Sequence, residues 1–355
     1  MDTKIETPIT EKDASELQEM TSSSQPKQQT LIIYMKIILC AMIAFTIPFF
    51  CFISPKKNLR EVKEEVEYRY GYETGRHEKL SEILADTNAV ISEVKKAIKS
   101  IEMQEAFLSD VIERRKMRRT FTINGCEFTM IKVPGGSFYM GSNNGENNES
   151  PVHRVTLSDY YIGEFEVTQK LWKAVMGNNS SEHQNNTYPV TNVSYIECME
   201  FVKRLNEKTG LPFSLPTEAQ WEFAARGGNK TKGYKYSGSN TYSNVANCVE
   251  YSFWGEMFGY SNTPKTVGSK SANELGIYDM SGNVGEWCYD DYCLYESKSV
   301  IDPIGVKYGD NEETYGIARG GCYLSKPYEC RLTYRNDLKF EYSLRTVGFR
   351  LALNE

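Results

Sequence analysis

Thiols are the most reactive side chains in this chain. There are nine Cys. Cys40 and Cys51 lie in an apolar run near the N-terminus, and Cys126, Cys198, Cys248, Cys288, Cys293, Cys322 and Cys330 follow. Seven is odd, so these cannot all pair with one another. No CxxC occurs among them and the chain has three His, which argues against a structural zinc site of the common spacing. Non-haem iron would need two His and a carboxylate. His77 lies in a helical N-terminal region, leaving His153 and His183, and His153 in PVHRVTL reads as structural. No G-x-S-x-G marks a serine hydrolase. Hard oxygens concentrate in YDMSGNVGEW (278–287), and calcium takes several such donors from one loop. The competing reading is a Gly-Asn turn with Glu286 capping a helix. Tyr323, Tyr328, Tyr334 and Tyr342 cluster near the C-terminus, either lining a ligand groove or packing a Tyr-rich domain.

The elements that must position these groups are few. Thr168 caps a helix through Met176. Ser194 and Glu197 form a capping box for a helix to Lys208, and Gly210 follows its end. Pro216-Thr217-Glu218 starts a short helix to Ala225. Elsewhere after Phe121, short apolar runs alternate with Gly, Asn and Ser. The net charge of −6 argues against a nucleic-acid partner. Residues 1–120 are neutral, with 19 basic and 19 acidic side chains, so the acidity belongs to 121–355, as do all four Trp. Two differently built regions follow.

The first region divides again. Residues 1–30 read as a disordered tail. Leu31 to Ile53 has one charge in 23 residues, about 34 Å of helix, which predicts a retained transmembrane span. A signal-peptide core is the alternative, disfavoured by the long acidic segment before it and the missing cleavage site after it. Residues 56–119 read as a helical stalk. Leu80, Thr87, Val94, Ile101 and Leu108 form one heptad row, and Ile83, Val90, Ala97, Gln104 and Val111 the other. Either a homo-oligomeric coiled coil or a helix lying on its own domain accounts for them.

Seven blocks then occur in order: VPGGSFYMGS (133–142), PVHRVTLSDYYIGEFEVTQKLW (151–172), PVTNVSY (189–195), LPTEAQWEFAARGG (215–228), NELGIYDMSGNVGEW (273–287), RGGCY (319–323) and VGFRLAL (347–353). Together they resemble the formylglycine-generating enzyme family, the sulfatase-modifying factors, over 121–355. The resemblance implies an irregular, loop-rich α+β domain with a C-type-lectin-like core. It also implies oxidation of a substrate Cys to formylglycine by a copper ion held between two Cys thiolates. In active members these stand as C-x4-C after the RGGS block. Here the second thiolate maps onto Cys330 but the first falls on Ser325, a hard and weak copper ligand. Cys322 stands where the family has Ser, so Cys322 and Cys330 make either a relocated catalytic pair or two ordinary core thiols. The resemblance maps calcium onto Asp279, Glu286 and the carbonyls of Gly282 and Val284, with Asn247 from a second site. It maps the substrate groove onto Tyr323, Ser325, Tyr328 and Tyr334. Two functions result. The lead reading is a divergent binding module for a peptide, glycan or protein; the alternative is an active copper oxidoreductase using Cys330 with Cys322. Positive-inside counting would place the domain in the cytoplasm. The resemblance implies the exterior or periplasmic side of a single-pass membrane protein, and that is the expectation adopted.

Overall fold

The computed structural model describes residues 74–248, 263–305 and 315–354. Glu113–Glu355 falls in one compact unit and Ile9–Ile112 in another. Within the second, the described structure is most of one helix, α1 (Thr74–Lys116). It has no proline and no glycine after Gly75, and i,i+3 pairs such as Glu93–Lys96 at 3.2 Å lace its surface. Its apolar residues Val90, Ile98, Phe107 and Leu108 are exposed.

The single-pass membrane expectation is corrected here. Among the described residues no helix is long and apolar enough to cross a membrane. Helix α1 has the length, but charged side chains recur along it, and each would be costly in hydrocarbon. The tail 1–30, the apolar run 31–53 and residues 56–73 of the expected stalk lie outside the described residues.

The C-terminal unit is a mixed α/β structure of short strands. Strands β1 (Arg118–Ile123), β2 (Cys126–Val133), β5 (Tyr160–Gly163), β12 (Ala352–Asn354) and β6 (Phe213–Ser214) form one sheet in that order. Asn124 and Gly125, both at positive φ, make the two-residue β1–β2 turn. A second sheet runs β10 (Arg335–Lys339), β9 (Tyr315–Arg319), β7 (Gly285–Asp291), β11 (Val347–Phe349). A third runs β3 (Gly136–Met140), β4 (His153–Leu157), β8 (Val300–Ile301).

The caps fall where the sequence puts them. Thr168 accepts the Leu171 N–H at the start of α2 (Gln169–Met176), and Gly177 ends it in the left-handed region. Ser194 and Glu197 form the expected box for α3 (Tyr195–Thr209). Thr217 boxes with Gln220 at α4 (Glu218–Ala225). One aromatic core lies between α2, α3, the first sheet and strands β7 and β11 of the second, with Trp172 stacked on Phe201 at 5.3 Å and Phe349 edge-on to both. A second core gathers around Trp221, Phe223 and Tyr160. Helix α4 is buried on every side, so its two carboxylates, Glu218 and Glu222, enter the interior and need partners there.

Candidate functional site

The loop from β9 to β10 carries the thiols. It opens on Gly320 and Gly321, both at positive φ. A Cβ on Gly321 would lie 2.8 Å from the Glu329 carbonyl and 2.9 Å from Cys330 Sγ, so glycine lets the two limbs of the loop close on each other. The Tyr323 N–H donates to the Asn283 carbonyl (2.8 Å) and the Ser325 N–H to the Cys322 carbonyl (2.9 Å). A 3₁₀ turn, Pro327–Cys330, follows; the Glu329 carboxylate caps it by accepting the Lys326 N–H at 2.7 Å.

These constraints shape a cavity of about 180 Å³ whose wall includes Cys322, Ser325, Glu329, Tyr334, Asn336 and Thr346. The Cys322 thiol lies 3.4 Å from the Ser325 hydroxyl, and burial raises its pKa. Cys330 is fully buried. It packs with Tyr236, Val245 and Ala246, and Cys248 packs against that cluster. A hydrogen bond with the Cys248 thiol, then burial, push the Cys330 pKa well up. Cys322 is near enough to act on Cys330 electrostatically, but the direct thiol neighbour is Cys248.

The structure therefore divides the expected groove residues. Ser325 and Tyr334 line the cavity with Cys322. Tyr323 is 2 % exposed, its hydroxyl donating to the Arg345 carbonyl at 3.3 Å, so it is core. Tyr328 is 45 % exposed and stands edge-on to Tyr334 at 6.2 Å. His153 packs on Tyr295 at 4.7 Å, as a structural residue would.

The oxygen-rich loop is a second locus. Asn247 bridges to Gly282, where a Cβ would lie 2.5 Å from the Asn247 carbonyl. Asn247 also donates from its amide to Asn283 Oδ1 at 3.0 Å. The Val284 N–H donates to Glu166 Oε1 (3.3 Å) and Asn283 Nδ2 to Glu166 Oε2 (3.0 Å). Asp279 sits at positive φ and accepts the Gly268 N–H at 2.6 Å. Glu286 is fully committed: Arg350 donates to both its oxygens at 2.6 Å, and Trp221 Nε1 to one at 2.7 Å. Burial, with the Glu286 charge adding to it, raises Asp279 to about 6. Burial, then Asp279 and Glu286, push Glu166 well above the usual carboxylate range.

Beside the cavity wall lies a third cluster. Arg319 donates to Glu218 Oε1 and Glu222 Oε2, each at 2.6 Å. Arg335 grips Glu218 at 2.7 and 2.9 Å, and Arg226 reaches Glu222 at 2.7 Å. Against the opposing effect of burial, Arg335 and Arg319 bring Glu218 down to about 2. Sequence reasoning missed Cys248 and Glu166. Cys248 is the immediate neighbour of the singled-out Asn247, and Glu166 is one of two carboxylates inside YYIGEFEV, an otherwise apolar stretch where a buried charge would not be left without partners.

Residues 122–355 match the family model described as Sulfatase-modifying factor enzyme 1-like domain. The chain is 32% identical over 265 residues to the Chaperone protein LppX of Paenibacillus barcinonensis, covering 61% of this chain and 88% of that protein. It is 26% identical to the Formylglycine-generating enzyme of Thermomonospora curvata, over 63% of this chain and 92% of the enzyme. Among solved structures, Treponema denticola variable protein 1 superposes with a TM-score of 0.59 at 28% identity, covering 67% of this chain and 99% of that one.

Proposed function

Residues 122–355 make this chain a member of the sulfatase-modifying factor family, and from that premise we propose that it is a divergent member whose cavity binds a polypeptide segment without oxidising it. The observation that carries the reading is the state of the expected copper pair. Ser325 stands in the first thiolate position with its hydroxyl against Cys322, and Cys330 is turned into a buried contact with Cys248. Copper(I) gains affinity and geometry from two soft ligands, and a hydroxyl removes one of them. The donor set at 325 and 330 therefore does not fit the ion. A relative of 32% identity bears the name chaperone, which supports recognition of a polypeptide.

The alternative oxidoreductase draws on one observation. Cys322 lies on the cavity wall within electrostatic reach of Cys330, so it offers the missing soft donor. One peptide separates the two. A fluorescent sulfatase-derived Cys peptide would be followed by anisotropy for binding and by mass spectrometry for the aldehyde, in the presence of Cu(I) buffered by a chromogenic chelator. Saturable binding with an unchanged peptide mass is expected. One-to-one Cu(I) binding that Cys322→Ser and Cys330→Ser each abolish, with aldehyde formed, overturns the reading.

Calcium belongs to the family association but not to this reading. With Arg350 and Trp221 occupying Glu286, the side-chain oxygens mapped to calcium are not an open set. The heptad rows of α1 support self-association with a second copy. Sedimentation of the full chain as an oligomer, and of a chain starting at Phe121 as a monomer, is the expected pattern; two monomers would remove the coiled coil.

A further inference from the structure

We propose that Cys248 and Cys330 are a redox modification site, closing to a disulfide when a small-molecule disulfide oxidises them. The geometry begins with contact. The two thiols pack in one cluster under Tyr236, Val245 and Ala246, although they lie in segments far apart in sequence. Each segment is already held in place. Asn247, next to Cys248, is tied to Gly282 by a backbone bridge and to Asn283 through its amide. On the other side, Gly321 abuts Cys330, and Arg319 donates to the Leu332 carbonyl at 2.6 Å just beyond it. Disulfide geometry is narrow, and two thiols packed in one cluster, on backbone tied at Asn247 and at the close approach of Gly321, are placed to reach it.

Accessibility sets the order of events. Cys248 is half-buried and Cys330 fully buried, so a dissolved oxidant meets Cys248 first. The Cys248 thiolate attacks one sulfur of the small disulfide, forming a mixed disulfide and releasing one thiol. The Cys330 thiolate then attacks Cys248 Sγ and releases the second thiol. Two protein thiols have lost two protons and two electrons, and the small disulfide has become two thiols. The competing partner for Cys330 is Cys322, whose sulfur rests 3.4 Å from the Ser325 hydroxyl. Closure ties the Asn247 edge to the cavity's 3₁₀ turn, and it withdraws Cys330 from any soft-metal chemistry. The inference does not depend on what the cavity binds.

The full chain would be equilibrated in buffers of oxidised and reduced glutathione, quenched with acid, alkylated after denaturation and mapped by peptide mass spectrometry. The expected product is a Cys248–Cys330 linked peptide whose fraction follows the glutathione ratio. Its formation should be accompanied by a rise in melting temperature of about 5–10 °C, because the bond closes a long loop in the unfolded chain. Cys248→Ser and Cys248→Ala should abolish the linkage and the rise, whereas Cys322→Ser should keep both. Linkage of Cys330 to Cys322 in the wild type, or full alkylation of Cys330 at every glutathione ratio, overturns the proposal, and neither result depends on a variant that folds.

Discussion

Two groups of buried carboxylates stand in this domain, and they answer burial in opposite ways. Glu218 and Glu222 share Arg319, with Arg335 and Arg226 at the flanks, so cations outnumber the two acids. Both acids are held below the ordinary range despite full burial. Glu166, Asp279 and Glu286 gather around Arg350. Glu286 takes the guanidinium, and the other two are pushed upward. Burial alone raises a carboxylate; the local count of cations decides whether that is reversed. The first group is a set of ion pairs, and the second is a region where protons do part of the work of cations.

Removing a cation tests this contrast most severely. Arg319→Met leaves two buried carboxylates short of a partner and should cost about 3–5 kcal/mol in urea unfolding. A cost under ~1 kcal/mol would show that Arg226 and Arg335 suffice without it. Next in size is a matched pair of neutralisations. Glu218→Gln should destabilise by about 3 kcal/mol at pH 7. Glu166→Gln should fall within about 1 kcal/mol of wild type or be more stable, because that site favours the neutral form. Equal losses in the two variants would erase the distinction.

The pH dependence of melting sharpens it within a single neighbourhood. Asp290 accepts the Glu218 N–H, yet burial and the Glu218 charge raise it to about 6 while Glu218 sits near 2. The native state thus binds the Glu218 proton more weakly than the unfolded chain does, and that stability disappears as pH falls from about 4.5 toward 2. It binds the Asp290 proton more tightly, and that stability disappears as pH rises from about 4 through 6. Calorimetry should find a maximum between about pH 4 and 5. Asp290→Asn should flatten the upper limb, at the cost of a few degrees overall from one lost N–H acceptor. A melting curve that climbs steadily to pH 7 contradicts the assignment.

The smallest effect expected is calcium's. An ion at a hundredfold over its Kd would add about 2.7 kcal/mol, or roughly 5–10 °C. With Glu286 held by Arg350, millimolar calcium should move the melting temperature by less than about 2 °C. A larger rise that disappears in Asp279→Asn would place the missing charge of the second group in an ion after all.

Local chemistry explains what the sequence disclosed. Thr168, Ser194 with Glu197, and Thr217 announce the starts of α2, α3 and α4 because a cap is written within four residues. The Ser325 departure was legible for the same reason, being a spacing within one loop. The pairing of Cys330 with Cys248 was not, since it depends on how two distant segments meet. Nor was the Arg350–Glu286 pair, whose partners sit on opposite sides of several loops. The short strands carried little signal of their own, because two or three residues hold too few alternations to read. The membrane expectation came from a run of hydropathy at 31–53, to which the described structure adds no apolar helix.

Strand β12 has a kinetic consequence. It lies between β5 and β6 in the five-stranded sheet, pairing Leu353 with Tyr161 on one side and Phe213 on the other. The first sheet therefore cannot close until residues 352–354 have left the ribosome, some 190 residues after β5. During that interval β5 and β6 present unpaired edges, with Ile162 and Phe213 uncovered. Such a topology folds late and slowly, and its nascent chain depends on whatever shields those edges in the meantime.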